Sequence, residues 1–290
     1  MVSRHSAFYS PVIGLLAAGF LEAEGVDATY EVLPPGGRSH KLLRDGEVDV
    51  FQSAVGSNWG SMEKGESGLP VHFAQINTRD GFFLAGRNAD SDFTWRKLEG
   101  ATLLADHGHQ PLLMLKYAAH VQGVDWSKID VMDAGSVEEI DAAFRAGRGD
   151  YVHQQGPAPQ QLEHDGVGHV VASVGAAMPE VAFSSLLAAR EFLATGAAKA
   201  FMRAYRKSRA WALEAPAEEI AEKESAYFPT MDRQVLTETI RTYQNLGTWS
   251  GGVAIPRALY EQALEVFLYG GAITKRHPYD DVVVAPPGAE

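Results

Sequence analysis

Cysteine is missing from all 290 residues. That absence excludes disulfides, a thiolate nucleophile and any Cys-ligated metal, and it leaves the redox compartment open. No long apolar run interrupts the chain, so no segment reads as stably inserted in a membrane. Basic residues are scarce beside acidic ones, 25 Lys and Arg against 37 Asp and Glu, which gives a formal net charge of -12 at pH 7. That balance argues against a nucleic-acid partner, because phosphate contacts need clustered Lys and Arg. The one basic run, Arg203, Arg206, Lys207 and Arg209, reads as a solvated helix face. Residues 1–20 also lack the basic start, apolar stretch and small-residue cleavage site of a secretory leader. As written, the chain is expected in the cytoplasm, and a leader upstream of Met1 would place it in the periplasm or at the cell surface.

What is present fits a globular α/β protein: 46% of residues are hydrophobic and 21% charged, enough for an ample core in one or two domains. The opening stretch SRHSAFYSPVIGLLAAGFLEAEG organises the reading. A few extended residues run into the loop His5 to Tyr9. Ser10 is a favoured N-cap and Pro11 a favoured first helical residue, so an apolar helix is expected from Pro11 to Gly25. Its free N–H groups would face the loop carrying His5 and Tyr9, a geometry that attracts an anionic or polar ligand. The strand-forming alternation VDATYEVL predicts a strand over residues 26–33, and the turn PPGG leads into a short helix from Ser39 to Asp45. EVDVFQ reads as a further strand, followed by Ser53 to Asn58.

This order of elements, AAGFLEAEGVDATYEVLPPGG followed by LLRDGEVDV, resembles the start of type II periplasmic binding proteins, in the NMT1/THI5-like group that includes sulfonate, taurine and thiamine-precursor binders. The resemblance runs through most of the chain. It implies two α/β domains around a hinged cleft: residues 1–86 plus 184–290 as a discontinuous first domain with a helical C-terminal part, and residues 87–183 inserted as the second. Within that plan FFLAGR leads toward the second domain, ATLLA is a strand, and a helix runs from Pro111 to Gln122. Ser136 to Gly147 is a capped helix, and the unit RGDYV echoes GEVDV. A loop HisGlnGln then precedes a helix containing Ala158 to His164, and HVVASV is the last strand of the second domain. Leu186 to Ala212 is expected to be mostly helical. Further helices are expected over 216–225, 233–246 and 256–267, with a mobile tail over 278–290.

In open α/β sheets ligands sit outside the C-terminal strand ends. Of ten histidines, His5, His107, His109 and His153 fall at such ends, with Gln110 beside His109. They read as solvated loop residues, as ligand-recognition groups, or, with less support from the spacing, as metal ligands. Tyr9 and Trp59 are the aromatic candidates for a cleft wall, and Arg38 could meet a carboxylate or sulfonate or pair with a surface acid such as Asp45. Ser10, Ser53, Ser57, Asn58, Asn77, Gln154 and Gln155 supply neutral donors and acceptors. No catalytic residue, metal or cofactor is assigned. The resemblance implies the substrate-binding component of an ABC-type importer for a small organic solute such as a nitrogen heterocycle, a pyrimidine precursor or a sulfonate, with an ABC permease as partner. The alternative is an intracellular enzyme of the same fold using histidine acid–base chemistry, decarboxylase-like or related to the thiamine-pyrimidine synthases.

Overall fold

The computed structural model describes residues 1–288. Among these, eight strands form two sheets. The strands are β1 (Phe51–Ser53), β2 (Val71–Asn77), β3 (Phe82–Gly86), β4 (Thr102–Ala105), β5 (Asp130–Met132), β6 (Tyr151–Gln155), β7 (His169–Ser173) and β8 (Ser184–Ala188). The first sheet has the order β1-β8-β2, with β8 antiparallel to both neighbours. Val2 extends it through parallel bridges to Gln52 and Val32. The second sheet runs β5-β4-β6-β3-β7, parallel across β5, β4 and β6 and antiparallel on either side of β3.

Strand β3, expected only to lead across, is an inner strand of the second sheet, paired on both edges. Strand β8 replaces the start of the expected helix at Leu186. Its residues Leu186 to Ala188 are fully buried between β1 and β2, and strand pairing on both sides overrides the helical composition of LLAAREFLA. Where residues 26–33 alternate, only Val32 joins a ladder, because its neighbour Val2 offers a single bridge.

The first helices are α1 (Ser10–Ala17), α2 (Ser39–Arg44), α3 (Gly56–Glu63) and α4 (His109–Val121). Helix α1 stops eight residues short of Gly25. Gly19 takes a left-handed φ of 73°, which a helix cannot carry, and a separate 3-10 turn follows over Glu22–Glu24. The cap position of α1 is Tyr9 rather than Ser10. The later helix Val137–Arg145 begins with a capping box of Ser136 and Glu139, as the sequence pattern predicts. Long helices over Gly196–Glu214, Arg233–Asn245 and Arg257–Tyr269 follow β8.

Most of the core is one continuous cluster reaching across both sheets, with Phe8, Trp59, Tyr205, Tyr243, Trp249 and Tyr260 fully buried. Each buried aromatic contributes roughly 2–3 kcal/mol of apolar transfer. The tail is part of this core: Tyr279–Val282 is helical, and the Val284 N–H donates to the His72 carbonyl at 2.9 Å. The last two residues of the expected mobile tail lie outside the described residues.

Candidate ligand-binding site

A cleft of about 270 Å³ opens between the two sheets. The first sheet brings Gln52 and Ser53 at the end of β1 and Ser184 at the start of β8, while the second brings Phe82 of β3 and Gln155 of β6. Two helices start at its rim: Gly56 and Ser57 open α3, and His109, Gln110 and Pro111 open α4. Neither helix has a side-chain cap. In α3 the Ser57 and Asn58 N–H groups already donate to the Ala54 and Val55 carbonyls, so the two helix starts offer the cleft mainly their positive dipole ends. Phe183, Phe267 and Tyr9 supply apolar wall.

Arg4 enters from the N-terminal segment. Its Nη1 lies 2.5 Å from Oδ2 of Asp106, just beyond β4, and its guanidinium carbon sits 5.5 Å from the Phe82 ring centre. Burial disfavours ionisation of Asp106, yet Arg4 and the Gly108 N–H, at 2.7 Å, hold its carboxyl below the usual range. The Arg4 charge is thereby balanced, so the cleft offers directed hydrogen-bond donors more than net positive charge. Burial raises the Tyr9 hydroxyl, opposed by hydrogen bonds with Ser184 and Gln155, so Tyr9 stays neutral. What converges here suits a small ligand with an acceptor-rich head group and a short apolar part.

Tyr9, Ser53, Ser57, His109, Gln110 and Gln155 are brought together in this cleft. The other residues singled out from the sequence are placed elsewhere. His5 is bonded to the Tyr30 hydroxyl at 2.9 Å and the Tyr227 carbonyl at 2.8 Å, with its ring against Phe228; burial lowers its pKa. Ser10 is buried, its Oγ 2.8 Å from the Ala7 carbonyl oxygen and 2.9 Å from a Glu224 carboxyl oxygen, between which its single hydrogen is shared. Asn58 donates to the Pro70 carbonyl and Asn77 to the Phe8 carbonyl. Trp59 is a core residue whose Nε1–H donates to the Tyr260 hydroxyl. Arg38 is exposed at the start of α2. His107 bonds the Ala105 carbonyl at 2.8 Å.

His153, Gln154 and Gln155 lie within β6 and not in a loop beyond it, because the ladder with β3 continues to the pair Phe82 and Gln155. His153 is fully buried, stacked on Phe82 at 4.7 Å between ring centres, and burial pushes its pKa down to about 3. Gln52, Phe183, Ser184 and Phe267 went unnoticed in the sequence, since each sits in an apolar or β-rich stretch with no local polar signal. A larger cavity, about 440 Å³, lies between α1, residues 26–31 and residues 47–50. Its rim carries Asp27, Glu31, Glu47 and Asp49, its walls hold no Arg, Lys or His, and the cation in its lining, the Met1 amino group, donates to the Val50 carbonyl at 2.9 Å.

Two α/β sheets facing each other across a cleft rimmed by helix N-termini define the fold of the periplasmic substrate-binding proteins. The chain belongs to the family described as NMT1/THI5 like, whose model matches residues 10–219. It is 27% identical over 285 residues, 96% of this chain and 85% of the other, to YtlA of Bacillus subtilis (strain 168), described there as a candidate binding protein. The alkanesulfonate-binding protein SsuA from Xanthomonas axonopodis pv. citri, solved bound to MOPS, superposes with a TM-score of 0.73 at 15% identity, over 97% of this chain and 96% of that one. The periplasmic nitrate-binding protein NrtA from Synechocystis PCC 6803 gives 0.69 at 14% identity, over 97% and 84%.

Proposed function

We propose that this protein is the solute-binding component of an ABC-type importer, and that its solute is a small organic oxyanion of the sulfonate kind held in the cleft between the sheets. The observation that carries the reading is the convergence of Arg4, Ser57, Gln155 and the uncapped starts of α3 and α4 on one small cavity. Nitrogen heterocycles and pyrimidine precursors fit less well, since the cleft supplies several donors, while the Asp106 carboxylate is engaged by Arg4 and the Asp80 carboxyl accepts from the Phe82 N–H. The family membership supports a binding protein, and the sulfonate and nitrate binders among the structural neighbours support an oxyanion. The absence of cysteine removes thiolate chemistry from the cleft.

The two sheets would act as two lobes. Closure about the crossings near residues 78–81 and 178–183 would bring Phe82 and Gln155 onto a ligand seated against Ser53 and Ser57. A permease would then receive the closed form. Among the described residues no helix is long and apolar enough to cross a membrane. The test is a thermal-shift screen with methanesulfonate, taurine, nitrate and pyrimidines, followed by mass analysis of the recovered ligand. A sulfonate that raises the melting temperature and returns unchanged supports the reading. A ligand recovered with altered mass would make the cleft a catalytic site instead.

A further inference from the structure

His72 lies in β2 with no exposed surface, and its ring joins two serines. Nδ1 is 2.8 Å from Oγ of Ser185 on β8, and Nε2 is 3.4 Å from Oγ of Ser57. Ser57 is the second residue of α3 and part of the cleft lining. The antiparallel register, with His72 opposite Leu187 and Gln75 opposite Ser185, holds the imidazole directly behind the cleft wall.

Burial, with some help from nearby His40, lowers the His72 pKa to about 3. The ring is therefore neutral at ordinary pH and carries one N–H and one lone pair. Its two tautomers present opposite faces to the cleft. With the proton on Nδ1, Nε2 takes the hydrogen of the Ser57 hydroxyl, and Ser57 shows a ligand only lone pairs. With the proton on Nε2, the ring donates to Ser57, and the Ser57 hydrogen is free to reach a ligand.

Ser185 decides between them. Its hydroxyl is 1% exposed, and among the described residues Nδ1 of His72 is the only hydrogen-bond partner of its Oγ. A buried hydroxyl hydrogen needs an acceptor, and Nδ1 is the one in reach. We infer that Ser185 donates to Nδ1, fixes the Nε2-protonated tautomer of His72, and so makes Ser57 a hydrogen-bond donor to the acceptor-rich head group of the ligand. His72 and Ser185 are positioning residues, and Ser57 touches the solute. This rests on the proposed reading of the cleft as an oxyanion site and specifies which end of Ser57 the ligand meets.

The test has two arms. Nitrogen-15 NMR of histidine-labelled protein, with the His72 signals identified by their shift in Ser185→Thr, reads the tautomer without any ligand. A protonated Nε2 with a bare Nδ1 is the expected result, and a protonated Nδ1 overturns the relay. Titration calorimetry with methanesulfonate as the probe forms the second arm. Ser57→Ala weakens binding about tenfold or more, Ser185→Ala weakens it severalfold, and Ser185→Thr, which keeps the hydroxyl, restores it. Unchanged affinity in folded Ser185→Ala contradicts the inference. If wild-type protein binds no methanesulfonate, the oxyanion reading fails, and the NMR arm still decides whether the relay exists.

Discussion

Arg4 and Asp106, 102 residues apart in sequence, meet at 2.5 Å and tie the N-terminal segment beside the first sheet to the end of β4 in the second. The Arg4 side chain is 28% exposed toward the cleft and Asp106 is 7% exposed. One ion pair thus spans the boundary across which the solute is proposed to bind.

Removing the charge of Asp106 while keeping its shape tests that role. Asp106→Asn is expected to destabilise the fold by about 1–3 kcal/mol, since the Gly108 N–H and Arg4 both lose an ionised acceptor. Urea unfolding at pH 7 checks this. An unchanged midpoint would show the pair to be incidental to the fold.

Stability should depend on pH in a defined way, because four buried groups titrate far from their ordinary values. Burial raises Glu224 to about 8, with its Ser10 hydrogen bond opposing, and raises Asp80 to about 7. The folded chain therefore holds protons that the unfolded chain releases at lower pH, and stability erodes as pH rises from the ordinary carboxylate range through about 7 for Asp80 and about 8 for Glu224. Burial lowers His72 and His153 to about 3, so they erode stability as pH falls below about 6.5. The slopes of these four groups cancel between about 4.5 and 6.5, where the lowered His5 and His40 add to the loss on acidification. Above that, stability should drop by about 2–3 kcal/mol on reaching pH 8. Glu224→Gln, which keeps a partner for Ser10, should remove much of the drop. Equal urea midpoints at pH 6 and pH 8 in the unsubstituted protein would contradict the assignment.

Gly56 tests the shape of the cleft wall. A Cβ at this position would lie 2.4 Å from Cζ of Phe267, whose ring also packs edge-on against Trp59. Gly56→Ala must displace that ring, and a cost of about 1–3 kcal/mol is expected, with weaker solute binding. A variant with wild-type melting temperature and affinity would show that the wall is not tightly packed.

Trp59 provides the control for core against cleft. Trp59→Phe loses the 2.9 Å hydrogen bond to Tyr260 and some buried ring surface. It is expected to cost about 1–3 kcal/mol of stability while leaving solute affinity unchanged in the folded fraction. A selective loss of affinity at full stability would return Trp59 to the site.

Local signals in the sequence were sufficient where one segment satisfies itself. The capping box at Ser136, the turn before α2 and the helix Ala158–His164 all depend on residues within a few positions of one another. Failures arose where a partner far along the chain decides. His5 has the composition of a ligand loop, but Tyr227 and Tyr30 occupy both its nitrogens. The polar run HisGlnGln looks like loop and is strand, because β3 pairs with it to its end. His72 drew no notice inside an apolar strand, although it reaches the back of Ser57. Of the cleft residues legible in advance, Ser57, His109 and Gln110 sit at helix starts that Gly56 and Pro111 mark, Tyr9 directly precedes the Ser10-Pro11 start of α1, and Ser53 and Gln155 end strands β1 and β6. Phe183, Ser184 and Phe267 arrive through the chain's return to the first sheet, which no local pattern encodes.

The most direct measurement is the methanesulfonate affinity of wild-type protein beside Arg4→Gln, by titration calorimetry at pH 7. The account predicts one site per chain in the wild type and a loss of about tenfold or more in Arg4→Gln, with the variant still folded. Equal affinities in the two proteins, or saturable binding that survives Arg4→Gln together with Ser57→Ala, would place the solute somewhere other than this cleft and contradict the central claim.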